Sequence, residues 1–270
     1  MKNITHKTLA LALGGGSALG FAHIGFLQVL EENNIKISGI AGTSMGSLIG
    51  AFYVSGYSGK QLEDIALKQV YVKDFVFDFK PITFLKDGLI SGIRMQNIFN
   101  KFFYEKNIEE LSMKYASVAV DILSGKPYIF NKGNLARAVR ASISIPSIFK
   151  PVKEGDMLLV DGGVTDNVPA DHAKAFGFDK VISVDVLGDY SMKTPPKTIT
   201  GLLLASFNLL QYEYYKYKPN VADLKIKMNV SGVRQTDFNK KAIVKAIKIG
   251  REYANNHLEE IKKLIDYKEE

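Results

Sequence analysis

The feature that most constrains this chain is a unit near its start that occurs twice in succession: an apolar run, a glycine-bearing turn, and a segment with helical spacing. The first unit runs from a strand over 8–13 through "GGGSALG" to a helix over 21–32. The second runs from a strand over 37–41 through "GTSMG" to a helix over 45–55. Strands followed directly by helices point to parallel pairing, because parallel neighbours need a crossover and the helix supplies it. Further strands are expected at 117–123, 157–160 and 180–186, with the helix-like "DNVPADHAKAFG" between the last two. A helix at 96–103 is expected within a covering layer over 57–110. The expected fold class is α/β, with a mainly parallel sheet and helices on its faces. No repeat or low-complexity linker interrupts the 270 residues, so a single domain is expected over 1–270. It has a motif-bearing core at about 8–186 and a helical C-terminal part at about 196–268.

Two later segments complete the pattern. Residues 199–217 are apolar almost all round, with Leu202, Leu203, Leu204, Phe207, Leu209 and Leu210 followed by four tyrosines, and read as a deeply packed helix with a tyrosine-lined exit, a lipid-facing lip being the alternative. Beyond them Ile243, Ile247, Gly250, Ala254, Leu258, Ile261 and Ile265 recur at steps of three and four, which predicts one long amphipathic helix lying on the sheet. The run "GLLLASFNLL" falls well short of the roughly 20 residues that cross a bilayer. The apolar run at 9–13 is too short for a signal core and flows into the glycines. A cytoplasmic or peripheral-membrane location is therefore expected.

Charge narrows the partners. Lys and Arg number 35 against 28 Asp and Glu, a net +7, but the two signs are interspersed and only five of the basic residues are Arg. Arg is the residue that reads phosphates and bases bidentately, so nucleic acid is not an expected partner. A mild positive field suits anionic lipid surfaces. With no cysteine, thiolate nucleophiles and Cys-based zinc sites are excluded.

Gly14, Gly15 and Gly16 expose bare backbone ahead of a helix, which suits negative charge. A phosphate loop needs G-x-x-x-x-G-K-[ST], and Phe21 follows Gly20 where lysine is required. A dinucleotide fingerprint starting at Gly14 meets Leu19 at its third glycine position. Nucleotide cofactors are thus not expected, and no cofactor or metal is assigned. The second turn, Gly42-Thr43-Ser44-Met45-Gly46, is G-x-S-x-G between a strand and a helix, the setting of a nucleophile elbow, with Gly42 and Gly46 permitting the sharp bend.

A serine nucleophile needs a base. His6 precedes the first strand, His23 follows the glycine turn and packs in its helix, and His172 and His257 fall in expected helices. A Ser44–Asp161–His triad using His172 or His257 is one alternative. Asp161 is the better base: in "MLLVDGGVTDNVP" it ends an apolar strand before Gly162 and Gly163, which brings its carboxylate to the sheet edge where Ser44 emerges.

Taken together, "GGGSALGFAHIGFL", "GTSMG" and "ASISIPSIFKPV" leading into "VDGGVTDNVP" resemble the patatin-like phospholipase family over about residues 9–186. The resemblance implies a three-layer α/β/α fold and a lipid acyl hydrolase with a Ser-Asp dyad, no catalytic histidine and no calcium requirement. Ser44 would be the nucleophile and Asp161 the general base. The turn at Gly14, Gly15, Gly16 and Ser17 would hold the oxyanion, chiefly through the amides of Gly15, Gly16 and Ser17. The implied partner is a lipid or ester substrate, at a membrane or micelle surface. Family members often carry Arg or Lys where this chain has Leu19, which removes a positive charge available to a phospholipid head group. Leu85, Ile93, Phe99, Phe102, Phe103 and the segment 202–210 are the expected walls of an acyl slot. A non-catalytic lipid-binding module on the same frame is the alternative from another class.

Overall fold

The computed structural model describes residues 7–68, 90–189, 195, 199–219 and 221–266. An eight-stranded sheet forms its centre: β1 (Leu9–Leu13), β2 (Gly39–Thr43), β3 (Lys114–Asp121), β4 (Pro127–Phe130), β5 (Val152–Glu154), β6 (Met157–Asp161), β7 (Lys180–Asp185) and β8 (Leu224–Lys227). The helices are α1 (Ala22–Glu32), α2 (Met45–Val54), α3 (Gly59–Lys68), α4 (Ile93–Phe102), α5 (Leu135–Ser142), α6 (Ala170–Lys174), α7 (Ile199–Tyr217), α8 (Lys240–Asn256) and α9 (Leu258–Leu264). The strand order is β5-β6-β3-β2-β1-β7-β8, with β4 also on β3. Strands β3, β2, β1, β7 and β8 are parallel neighbours, whereas β4 and β6 run antiparallel to β3, and β5 runs antiparallel to β6. The sheet is mainly parallel, as expected, with an antiparallel wing.

The sequence of β1, Leu-Ala-Leu-Ala-Leu, shows how the layers arise. All five residues are buried, and strand side chains alternate faces. Leu9, Leu11 and Leu13 join the large core with α1, α2 and α8. Ala10 and Ala12 join a thinner layer with Ala170 and Ala173 of α6. Leucine fills the thick side and alanine lets α6 approach closely.

The C-terminal helix differs from expectation in two ways. It breaks at His257 into α8 and α9, and its stripe covers α1 rather than the sheet. Close approach of two glycines explains the partner. A Cβ on Gly25 would stand 1.9 Å from the Ile247 carbonyl oxygen, and one on Gly250 would stand 1.9 Å from that of Ala22. Backbones this close leave room for hydrogen alone. Arg251 closes the pair with two 2.8 Å contacts to Glu32.

The segment at 199–217 is helical over those residues, but it is not deeply packed. Leu202, Leu203, Leu209 and Leu210 are exposed, while Ala205 and Gln211 are buried. The inner face of α7 meets polar groups, so its polar residues turn inward: Asn208 Nδ2 donates to Gln235 Oε1 at 2.6 Å, and the Tyr215 hydroxyl donates to the Val168 carbonyl at 2.9 Å. The Leu204 side chain, Leu85 and His6 lie outside the described residues. Among the described residues no helix is long and apolar enough to cross a membrane.

Candidate active site

Parallel register sets the two glycine turns side by side, because Leu13 pairs with Gly42 at the ends of β1 and β2. The second turn has the elbow geometry. Ser44 sits at φ 52° and ψ −121° ahead of α2, a conformation that non-glycine residues adopt only under constraint. The constraint is contact on both sides: a Cβ on Gly42 would lie 2.5 Å from Ser47 N, and one on Gly46 would lie 2.1 Å from the Leu13 carbonyl oxygen. The Ser44 amide, left outside the helix ladder, donates to Ser142 Oγ at 2.9 Å, and that hydroxyl donates to the Val118 carbonyl at 2.6 Å.

Asp161 reaches Ser44 by a route the sequence did not reveal. Strand β3 overhangs β2: Thr43 pairs with Val118, and the antiparallel β6 pairs with the overhang so that Asp161 faces Ala119. The carboxylate therefore arrives from the opposite direction rather than from the end of a parallel strand. Its amide donates to the Ser144 carbonyl at 3.0 Å, so the C-terminal end of α5 and the residues just after it anchor both residues, Ser44 through Ser142 and Asp161 through Ser144. Asp161 Oδ1 accepts the Gly163 amide at 2.8 Å, and the carboxylate neighbours the Ser44 side chain closely enough for that side chain to favour its ionised form. Burial pushes the Asp161 carboxyl up to about 6, with the neighbouring Ser44 side chain and the Gly163 amide opposing the shift. Gly162 and Gly163 are held by space, since side chains there would strike the Val118 carbonyl and Gln211.

The first turn presents amides, though not all those expected. The Gly14 amide is bonded to the Val184 carbonyl at 2.9 Å and the Gly15 amide to the Asn167 carbonyl at 3.0 Å. Both are occupied, which removes Gly14 and Gly15 as donors to a ligand. Gly16 and Ser17 have no acceptor for their amides among the described residues. Asn167 Nδ2 donates to the Gly15 carbonyl at 3.4 Å, and the Leu19 amide donates to the Gly16 carbonyl at 3.0 Å. In trans peptides the N–H points opposite the C=O, so both contacts turn the Gly16 and Ser17 amides away from Asn167 and the helix. Ser17, like Ser44, stands at φ 52°.

His23 supports this turn from below. It is fully buried, and burial holds its imidazole down at about 4, so the ring is neutral at pH 7. Because the Gly14 carbonyl can only accept, the 2.8 Å contact puts the ring proton on Nε2. Neither of the other described histidines hydrogen-bonds Ser44. His172 Nε2 lies 3.2 Å from Asp166, whose other oxygen holds Lys218 at 2.6 Å, and His257 Nδ1 contacts the Tyr253 carbonyl at 2.8 Å. No group of three His, Asp or Glu that could hold a metal ion occurs among the described residues.

An apolar chamber opens beside Ser44 and Ser17, walled by Phe21, Leu48, Met95, Phe99, Ile143 and Phe238. Among the described residues, Phe99 is the one expected wall that lines it. Phe102 and Phe103 pack against Phe52, Ile93 is exposed, and the 202–210 segment lies elsewhere. Leu19 is buried in the core, so its side chain is not presented to a ligand. Ser142 and Asn167 are the supporting residues that motif reading did not assign. Their signals were present in "ASISIP" and "TDNVP", but only the fold shows which atoms they hold.

An elbow-like serine beside a buried carboxylate, next to unbonded amides on a mainly parallel sheet, has the make-up of a hydrolase site. A family model described as patatin-like phospholipase matches residues 11–174, and the chain belongs to this family of lipid hydrolases. Patatin-like phospholipase domain-containing protein 6 of Mus musculus is 32% identical over 246 residues, covering 88% of this chain and 18% of that protein. An uncharacterized NTE family protein of Mycobacterium tuberculosis H37Rv is 33% identical over 220 residues, covering 77% of this chain and 37% of that one. The chain thus spans less than a fifth of the mammalian relative. Among solved structures, VipD from Legionella pneumophila superposes with a TM-score of 0.66 at 13% identity, covering 94% of this chain and 67% of that chain. ExoU in its complex with SpcU from Pseudomonas aeruginosa gives 0.51 at 14% identity, covering 97% and 52%. These two likenesses show the fold.

Proposed function

We propose that this chain is a serine acyl hydrolase, of the phospholipase A or carboxylesterase type, that cleaves fatty-acyl esters through a Ser44–Asp161 dyad. The observation that carries this reading is a strained elbow serine, Ser44, whose side chain neighbours the fully buried Asp161 carboxylate, itself raised by burial to about 6. At pH 7 such a carboxylate is mostly ionised, yet it accepts a proton far more readily than an exposed aspartate. Asp161 takes the Ser44 proton as Oγ attacks the ester carbonyl. The carbonyl oxygen becomes an alkoxide held by the Gly16 and Ser17 amides, with the α2 N-terminus adding a favourable field. Collapse returns the proton from Asp161 to the departing alcohol and leaves an acyl-serine. Water, deprotonated by Asp161, then attacks the acyl-serine, and as the Oγ–acyl bond breaks Asp161 returns the proton to Ser44 Oγ, releasing the fatty acid and restoring the dyad. The apolar chamber walled by Leu48, Met95 and Phe99 receives the acyl chain. No step draws on a metal ion, and EDTA should leave turnover unchanged.

The test is labelling with an organophosphonate followed by peptide mass mapping. The expected adduct is on Ser44, together with hydrolysis of medium-chain p-nitrophenyl esters. A folded protein that is labelled at no serine and releases no nitrophenol would refute the reading. Full loss of turnover with His172→Ala or His257→Ala in a folded protein would replace the dyad by a triad.

A further inference from the structure

Seven of the thirteen exposed large hydrophobic side chains among the described residues sit on one helix, α7: Ile199, Leu202, Leu203, Leu209, Leu210, Tyr214 and Tyr217. Their spacing follows the helical repeat, so they share its outer face, with the exposed Ser206 between the two leucine pairs. No charged residue occurs from Ile199 through Gln211, and the two tyrosines close the C-terminal end. A concentrated apolar patch of this kind marks a contact surface rather than scattered exposure.

We propose that this ridge seats the protein on an anionic phospholipid bilayer, which then supplies the substrate; the proposal rests on the lipid-ester reading above. Position is the first argument. The inner face of α7 lies against the dyad turn, with Gln211 Nε2 only 2.1 Å from where a Cβ on Gly163 would stand. Asn208 holds Gln235, whose carbonyl accepts the Ala18 amide beside the oxyanion turn, and Phe238 of the same loop walls the chamber. A surface resting on the ridge is therefore separated from the chemistry by about one helix width, roughly 10 Å.

Charge is the second argument. Lys216, Lys225 and Lys227 are exposed on one flank, the first and last over the Tyr212 ring, and Glu213 and Asp189 pair with two of them. Lys225 is left to face solvent on a chain of net charge +7. An uncharged leucine ridge with interfacial tyrosines and a basic flank is the composition of a helix lying in the plane of an anionic interface, its apolar side among the acyl chains.

The experiment compares the parent with Leu202→Gln/Leu203→Gln/Leu209→Gln/Leu210→Gln, four exposed positions outside the dyad. Cosedimentation with vesicles of phosphatidylcholine mixed with phosphatidylglycerol is measured beside hydrolysis of a water-soluble monomeric ester. The expected result is that vesicle partitioning and vesicle-phospholipid hydrolysis fall together by at least roughly tenfold, while monomeric-ester turnover stays within about twofold. Unchanged partitioning of the variant, or no partitioning of the parent, overturns the proposal. So does a parent dimer that the substitutions convert to monomer with vesicle binding intact. Loss of parent ester turnover with ridge-dependent vesicle binding would instead leave the docking surface standing and remove the hydrolase reading.

Discussion

The two glycine turns of this protein start alike and end in opposite uses. Each follows a parallel strand, the strands pair in register at Leu13 and Gly42, and each turn forces a serine to φ 52° ahead of a helix. At Ser44 the amide is bonded to Ser142 and the side chain is left to act. At Ser17 and Gly16 the neighbouring carbonyls are bonded and the amides are left to act. What a strained turn offers therefore depends on which of its groups the surroundings leave unsatisfied, and the residue type does not decide it.

Replacing each serine by glycine gives the sharpest contrast. Both changes relieve a left-handed backbone and should raise stability by about 1 kcal/mol in urea unfolding. Ser44→Gly should also lower kcat by about ten-thousandfold or more, since a nucleophile acts as a unit with its base.

Asp161→Asn should lower kcat nearly as much, and it separates chemistry from stability. A carboxyl raised from 3.8 to about 6 binds its proton more tightly in the folded state. The wild type therefore loses stability as pH rises from about 4 through 6 and stays at the lower level above that. Asparagine removes the loss, so the variant should be more stable at pH 7 by roughly 2–3 kcal/mol, with little difference near pH 3. The same group sets the acid limb of wild-type kcat/KM, which should rise with pH and level off above about 6.

Smaller effects probe the supports. Asn167→Ala frees the Gly15 peptide to rotate and should lower kcat by about a hundredfold with KM little changed, the pattern of a misaimed oxyanion donor. Ser142→Ala leaves the Ser44 amide and Val118 carbonyl unpaired, and should cost about 1–3 kcal/mol of stability with a smaller fall in kcat. Ser17→Gly is expected to do least, keeping kcat within about threefold because its amide remains. If Ser17→Gly proved as damaging as Ser44→Gly, the contrast between side chain and amide would collapse.

Much of this was legible in the sequence because the relevant signals are local. Strand, turn and helix follow one another within about thirty residues in each N-terminal unit, and Gly-x-Ser-x-Gly and Asp-Gly-Gly name their own backbone needs. What was not legible depends on partners distant in the chain. The antiparallel course of β6, the occupied amides of Gly14 and Gly15, and the anchoring of Ser44 by Ser142 across 98 residues are all set by tertiary pairing. Helix α7 misled for a related reason. An apolar sequence normally marks burial, but this helix packs on polar turns, so Asn208 and Gln211 face inward and the leucines outward. In α8, by contrast, Gly250 and its apolar stripe meet an apolar partner, and the periodicity alone identified the buried face.

The most direct measurement is a crystal structure of the phosphonate adduct. Phosphorus bonded to Ser44 Oγ, with one phosphoryl oxygen within about 3.1 Å of both the Gly16 and Ser17 nitrogens and Asp161 beside the leaving-group position, is the predicted result. An adduct whose oxygen turns away from those two amides, or a label on any other residue, would contradict it.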